Sequence, residues 1–194
     1  MADPAYIVNG VLTDGEAWVA VASTTLGAGA ATITFTSTDD GQVGDWSQYM
    51  DLVVVGYARS LPATDANALT RLNFNNDTGS NYALQQVTGD GASVAAFSGT
   101  YGFAQFAYLN ADSVTANVFG SFVCNLFDIN SGKYKSGVSQ SADDRDGSGI
   151  VGMWSFTWKS QAPITEIDIV NHHSDDWMAG SRFDLFGVLP RMVA

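Results

Sequence analysis

The sequence has one cysteine, few basic residues and no long apolar run. Its cysteine, Cys124, lies in the apolar stretch NVFGSFVCNLF. A single cysteine excludes an intrachain disulfide framework and offers no metal-ligand spacing, and we expect a buried, unreactive thiol, because free cysteines are among the most buried residues. No run approaches the ~20 apolar residues that a membrane-spanning helix needs, so we expect no membrane insertion.

Positive charge is scarce. Eight Lys and Arg residues stand against twenty Asp and Glu residues among 194, which gives a net charge of −12. A surface of this kind repels nucleic-acid phosphates and anionic bilayers unless its basic residues cluster, and here they are scattered. We therefore predict neither nucleic acid nor membrane as a partner. The N-terminal MADPAYIV lacks the regions of a signal peptide, which predicts synthesis in the cytoplasm.

Glutamate is also scarce, since only Glu16 and Glu166 are Glu among the acids. Aspartate, asparagine and the 20 glycines favour turns, and they separate short runs of β-branched and aromatic residues. The pattern predicts one all-β domain over residues 1–194, a two-sheet antiparallel sandwich. The predicted strands are Ala17–Ser23, Ala30–Thr36, Asp51–Arg59, Ala68–Phe74, Tyr82–Thr88, Val94–Ser98, Thr115–Asp128, Lys133–Gln140, Gly149–Lys159, Ile164–Val170 and Ser181–Leu189.

The acidic stretch Asp39–Asp45 is predicted to be a long loop. For the residues after this loop, an alternative is a helical turn over Tyr49–Leu52, with Asp45 as its N-cap. The run DLVVVGYA, which begins at Asp51, is apolar on both faces and suits a central strand.

The sequence matches the known motifs of catalysis and metal binding poorly. If Gly147 is aligned with the glycine of a calcium-binding EF-hand loop, Met153 stands where the bidentate Glu is required. GVSQS lacks the second glycine of a nucleophile elbow, and GDGASV fails the dinucleotide fingerprint. We predict no catalytic residue, cofactor or metal. Three alternatives remain: a looser calcium site, a metal site at His172 and His173 with the following acids, and a carboxylate pair of a glycosidase.

The tryptophans divide into two groups. Trp154 and Trp158 share a strand face and are predicted to be core residues. Trp46 and Trp177 are predicted in loops beside acids, where they are candidates for stacking on a sugar or anchoring a partner. The alternative is that they cap the ends of the sandwich.

The segment RLNFNNDTGSNYALQQVTGDG resembles a motif that recurs in virion proteins of bacteriophages, especially marine and cyanobacterial phages. The segments VASTTLGAGAATITF, YMDLVVVGYARS, WKSQAPITEIDIV and AGSRFDLFGV occur in the order typical of that family, so the resemblance covers about residues 17–189. Polar residues of the first motif are predicted to form a self-bonded structural turn between two strands. They are Asn75, Asp77, Thr78, Gly79, Ser80 and Asn81.

The resemblance implies a jelly-roll-like sandwich in a virion, assembled in the host cytoplasm. We expect a capsid decoration (cement) protein, because the acidic surface suits the outside of a capsid and no separate attachment region is visible. Such a protein is expected to form a homotrimer on the major capsid protein or another virion protein. The alternative is a tail-fibre or appendage module that binds a host receptor or carbohydrate, and a hydrolase is the third class. The extensions 1–16 and 190–194 are expected to contact neighbouring subunits.

Overall fold

The computed structural model describes residues 7–8, 11–12, 18–61, 66–171 and 175–189. The described residues are almost entirely β-structure, with one short helix. The strands are β1 (Ile7–Val8), β2 (Val11–Leu12), β3 (Trp18–Thr25), β4 (Thr32–Thr36), β5 (Asp51–Ser60), β6 (Asn67–Phe74), β7 (Tyr82–Gly89), β8 (Val94–Tyr101), β9 (Ala104–Ala111), β10 (Gly120–Phe127), β11 (Lys135–Asp144), β12 (Gly149–Trp158), β13 (Glu166–Asn171) and β14 (Arg182–Val188).

Twelve of these strands form one hydrogen-bonded sheet that branches at β5 and folds into two layers, while β1 and β2 pair with each other. The larger sheet has the order β3-β14-β5-β10-β11-β12-β7-β8, and the smaller sheet has the order β4-β13-β6-β9. Strand β9 of the smaller sheet packs across β11 and β12 of the larger one. The prediction of an all-β, sandwich-like fold is confirmed.

The pairing is antiparallel within both sheets, as expected, but the junction between them is not. There the end of β5 pairs in parallel with β9, with Arg59 opposite Asn110 and Ser60 opposite Ala111. The twelve-stranded sheet is therefore mixed rather than purely antiparallel. Strand β5 also lies between β14 and β10, which confirms that DLVVVGYA is a central strand.

Each predicted strand overlaps an observed one, but three observed strands were not predicted: the short pair β1 and β2, and the longer strand β9. It is buried along nearly its whole length and contains the buried polar residues Gln105 and Asn110. The expected extensions 1–16 and 190–194 lie outside the described residues, apart from the backbone of β1 and β2.

The helix lies earlier than the proposed alternative. Asp45 does cap it, since its side chain accepts a hydrogen bond from Ser47 N at 3.0 Å, but the helix is a 3-10 turn at Trp46–Gln48. Residues Tyr49–Leu52 lead instead into β5, which begins at Asp51. The cap prediction is confirmed, and the helical turn over Tyr49–Leu52 is wrong.

The core uses aromatic rings laid over glycines. The ring of Phe122 lies 4.8 Å, edge to face, from that of Phe106 in the smaller sheet, and 6.4 Å from that of Phe183. A Cβ atom at Gly56 would come within 2.1 Å of the Phe122 ring, so only glycine fits beside it. The same arrangement recurs at Gly137 and Phe156, which explains glycines inside paired strands.

A buried arginine organises the junction of the two sheets. Arg59 is 2% exposed, and its guanidinium donates hydrogen bonds to the carbonyl oxygens of Thr115, Val118, Asp112 and Val114 at 2.7–3.2 Å. It also lies 3.3 Å from the carboxylate of Asp112. These contacts hold the loop between β9 and β10 against the end of β5.

Candidate functional site: an apolar outer face

Alternation along β10 places apolar side chains on both faces of the larger sheet. Phe122 and Cys124 point into the core, whereas Val123 between them is 40% exposed on the outer face. Strand β12 repeats this arrangement, with Trp154 buried and Met153 47% exposed. The outer face of the central strands is therefore not the polar surface that alternation usually leaves to water.

Strand register brings these outward residues together in two adjacent rows that cross β5, β10, β11, β12, β7 and β8. We call the two rows the apolar face. The first row consists of Tyr57, Ser121, Ala142, Val151, Gly89 and Val94, and the second consists of Val55, Val123, Gln140, Met153, Val87 and Ala96. The rows contain no carboxylate, amine or imidazole.

The apolar face forms an open depression of about 810 Å³. One end is walled by Tyr57, whose ring stacks on Phe119 with centroids 5.2 Å apart. Arg182 provides a cation at the same end, and its guanidinium pairs with Asp184 at 2.9 Å. Val151 and Val94 are the most exposed of its large hydrophobic members, at 67% and 78%.

Contiguous exposed apolar area on a soluble protein marks an interaction surface, whereas single exposed hydrophobic residues need no explanation. The rows offer shape and apolar contact but no general acid, base or metal ligand. Sequence reasoning missed this surface, although outward Val and Met residues in β10 and β12 alternate with core residues and provided the signal.

Trp46 and Trp177, the predicted partner contacts, are both core residues, with exposures of 1% and 0%. The Trp177 ring lies 5.4 Å from that of Phe183, and its Nε1 donates to the carbonyl of Ile169 at 3.4 Å. Neither indole reaches the surface of the described chain, so the interpretation of Trp46 and Trp177 as partner contacts is wrong. Trp154 and Trp158 are buried, as predicted.

The predicted turn motif joins β6 of the smaller sheet to β7 of the larger one. Asp77 organises it: one carboxylate oxygen accepts from Gly79 N at 2.9 Å, and the other accepts from Trp158 Nε1 at 2.7 Å and Asn81 Nδ2 at 3.0 Å. Burial raises the pKa of Asp77, but these hydrogen bonds outweigh it and hold the pKa below the ordinary 3.8. Thr78 and Ser80 are exposed at the tip.

Hydrogen bonds also hold the two ends of the turn. Asn75 adopts a φ of 51°, and its side-chain oxygen accepts from Thr165 N and Glu166 N at 2.9 and 3.0 Å. The Tyr82 hydroxyl donates to Asp77 O and accepts from Phe74 N, each at 3.0 Å, and burial raises its pKa to about 12. The segment is a self-bonded turn of the predicted kind.

The described residues at the candidate metal positions form other contacts. In the loop aligned with an EF-hand, Asp143 is 2% exposed and its carboxylate pairs with Arg145 at 2.7 Å. Over the described ranges, no group of three or more His, Cys, Asp and Glu residues could hold a metal ion. His172 and His173 lie outside those ranges. Cys124 is a free, buried thiol whose pKa is raised by burial, as expected of an unreactive cysteine.

Comparisons with known proteins return no match to a family model, a curated protein or a solved structure. In the part of the chain that the structure describes, no helix is long and apolar enough to cross a membrane.

Proposed function

We propose that this chain is a structural protein of a bacteriophage particle, a capsid decoration protein that forms a homotrimer and binds the major capsid protein. The observation that carries the proposal is the apolar face, an exposed hydrophobic surface on a chain with a net charge of −12. A protein that works by contact needs such a surface and needs no catalytic group.

Charge favours the apolar face over the rest of the surface as an interface. Two copies with the same net charge repel each other, and the repulsion is weakest where no carboxylate faces the partner. The two rows carry none, and the carboxylate of Asp184, which borders them beside Val55, is paired with Arg182. In a cyclic trimer, each subunit contributes the same pair of complementary patches, and we assign the apolar face as one member of that pair. The acidic remainder then faces solvent, away from packaged DNA.

The proposal is tested by adding the purified protein back to virions stripped of it and measuring the temperature at which the particles release DNA. We expect the wild-type chain to raise that temperature and to sediment as a trimer. The double variant Val123→Lys with Met153→Lys places two charges in the apolar face and is expected to sediment as a monomer and to give no protection.

Thr32→Lys is the matched control, because Thr32 is exposed on the outer face of the smaller sheet. This control is expected to behave as wild type. Particles whose heat resistance does not change when wild-type protein is bound would refute the decoration role, and a wild-type monomer would refute the trimer.

A second candidate function, an appendage module that binds a host carbohydrate, is favoured by another feature. Phe97 is 46% exposed and lies beside Tyr101 and Phe103, with the three rings in sequence at centroid distances of 6.2 and 5.4 Å. Exposed aromatic rings bind the apolar faces of sugars. Binding of the protein to host cells that lack any virion would favour this function over decoration.

A further inference from the structure

Arg71 is a half-buried cation for which the described part of the chain provides no carboxylate partner. The other described arginines, Arg59, Arg145 and Arg182, each pair with an aspartate. Around Arg71, by contrast, no carboxylate of the described residues lies within ion-pair distance. Its buried Nε, like that of Arg59, has no hydrogen-bond partner among the described residues. In a chain with twenty acids and eight basic residues, an arginine without a carboxylate is conspicuous.

The guanidinium is held instead against an aromatic row. Its Cζ lies 5.3 Å from the centroid of the Phe103 ring. Phe103 stacks on Tyr101 with an interplanar angle of 23°, and Tyr101 contacts Phe97. We call Arg71, Phe103, Tyr101 and Phe97 the platform. It has a cation at one end and an exposed ring at the other.

The turn motif fixes the platform in place. Gly102, between Tyr101 and Phe103, lies so close to the motif that a Cβ atom there would stand 2.4 Å from Thr78 O. The side-chain nitrogen of Asn73 donates to Gly102 O at 2.8 Å and to Asp77 O at 3.0 Å, which ties the turn between β8 and β9 to the motif. The platform is therefore preorganised, which lowers the entropic cost of binding.

We propose that the platform is a binding site for a carboxylated sugar, such as a sialic or uronic acid. The exposed ring of Phe97 offers a flat surface for the C–H face of a pyranose. The guanidinium offers paired N–H donors for a carboxylate. The net charge of the chain repels anions, so the affinity depends on these short-range contacts. This inference rests on the second candidate function and does not require the apolar face.

The experiment titrates the full chain with 3′-sialyllactose and with lactose, and reads binding by ligand-detected NMR and calorimetry. We expect sialyllactose to bind at least about tenfold more tightly than lactose, since charge-assisted hydrogen bonds to a carboxylate are among the strong ones. Arg71→Met should abolish this preference, and Phe97→Ala should weaken the binding of both sugars. Glucuronate-containing oligosaccharides provide a second carboxylated probe in the same assay.

Lys159→Met is the matched control, because Lys159 is a cation that likewise has no ion pair among the described residues, and it is exposed and lies off the platform. It should bind as wild type does. Arg71→Lys keeps the charge without the bidentate donors and should retain only part of the preference, and the thermal melt of each variant verifies its fold.

Equal affinity for sialyllactose and lactose, an undiminished preference in Arg71→Met, or no binding of any carboxylated probe up to about 10 mM would overturn the proposal. The Val123→Lys with Met153→Lys variant separates it from the decoration role. If that variant binds sialyllactose as wild type does, the glycan site functions independently of subunit association, as proposed. Loss of sugar binding in that variant alone would overturn this independence.

Discussion

The two sheets bury their inner faces against each other, but their outer faces differ. The smaller sheet presents threonines and acids to solvent, and Thr34 Oγ1 donates to the Asp168 carboxylate at 2.6 Å. The larger sheet presents Val123, Val151 and Met153 at its centre. In both sheets, successive residues of a strand point to opposite faces. The difference therefore lies in which residue types point outward. The smaller sheet is adapted to water on one side, and the larger one has two hydrophobic sides.

This difference separates the requirements of folding from those of association. One hydrophobic face per sheet is sufficient to make a sandwich, as the smaller sheet shows. The second hydrophobic face of the larger sheet adds nothing to the internal core, and it exposes the chain to unwanted association. A feature of this kind is best explained by a partner that covers it.

The largest expected effect compares the two sides of β10 directly. Phe122→Ala should lower the free energy of unfolding by about 3–5 kcal/mol, because it removes a buried ring that contacts both Phe106 and Phe183. Val123→Ala, one residue away on the outer face, should cost less than about 1 kcal/mol in the monomer. Urea unfolding of both variants measures the difference. Equal losses would mean that the apolar face is part of the folding core.

The next effect concerns the junction that holds the two sheets together. Arg59→Met should lower the free energy of unfolding by about 2–4 kcal/mol, because the carbonyls that its guanidinium satisfies lose their donor. Arg59→Lys should recover less than half of the loss, since one ammonium cannot bond to all of these carbonyls. Denaturant unfolding again provides the measurement, and a Lys variant as stable as wild type would contradict the proposed geometry.

The turn motif between β6 and β7 should make the stability of the fold sensitive to acid. Since the pKa of Asp77 is lowered in the folded state, its ionised form stabilises the fold above the ordinary pKa of 3.8, and this stability is lost as the pH falls below it. Asp77→Asn should cost about 1 kcal/mol at neutral pH and should flatten the decline in stability between about pH 5 and 3. Urea midpoints across that range give the slope.

Asp39→Asn is the control for the Asp77 variant, because Asp39 is an exposed carboxylate outside the turn. Its stability should follow the wild-type curve with pH. A decline as steep in Asp77→Asn as in wild type would show that the turn does not contribute to the acid sensitivity.

The sequence was sufficient to predict the all-β class and most strands, because alternation and turn residues are local signals. Strand β9 lacked both: AQFAYLNA is buried on both sides and rich in alanine, which disfavours strands, so no period-two pattern remained. Its burial comes from β11 and β12, which are distant in sequence, and local composition does not report such contacts.

The site was harder to predict than the fold for the same reason. Trp46 and Trp177 have acidic neighbours in sequence, which suggested exposed loops, but their neighbours in space are core residues. Conversely, Val123, Val151 and Met153 lie in apolar strands, and their alternation with core residues indicates an outward position. Only the strand register shows that they lie side by side on one outer face. The turn motif was predictable because Asp77 accepts hydrogen bonds from Gly79 and Asn81, which are close to it in sequence. The bonds from Trp158 to Asp77 and from Thr165 to Asn75 join distant residues and were not predicted.

The smallest expected change in stability is also the most informative about the two outer faces. Val151→Thr replaces a methyl group with a hydroxyl at a residue that is 67% exposed, and Thr32→Val makes the reverse change on the smaller sheet. Both residues are β-branched, so strand propensity is nearly preserved, and each change should alter the free energy of unfolding by less than about 0.5 kcal/mol. Val151→Thr should nevertheless weaken self-association about threefold to tenfold per interface, since burial of one methyl group contributes about 1 kcal/mol. Thr32→Val should leave association unchanged. Sedimentation equilibrium measures both, and if the two variants associate alike, the apolar face is not the surface through which copies of this chain meet.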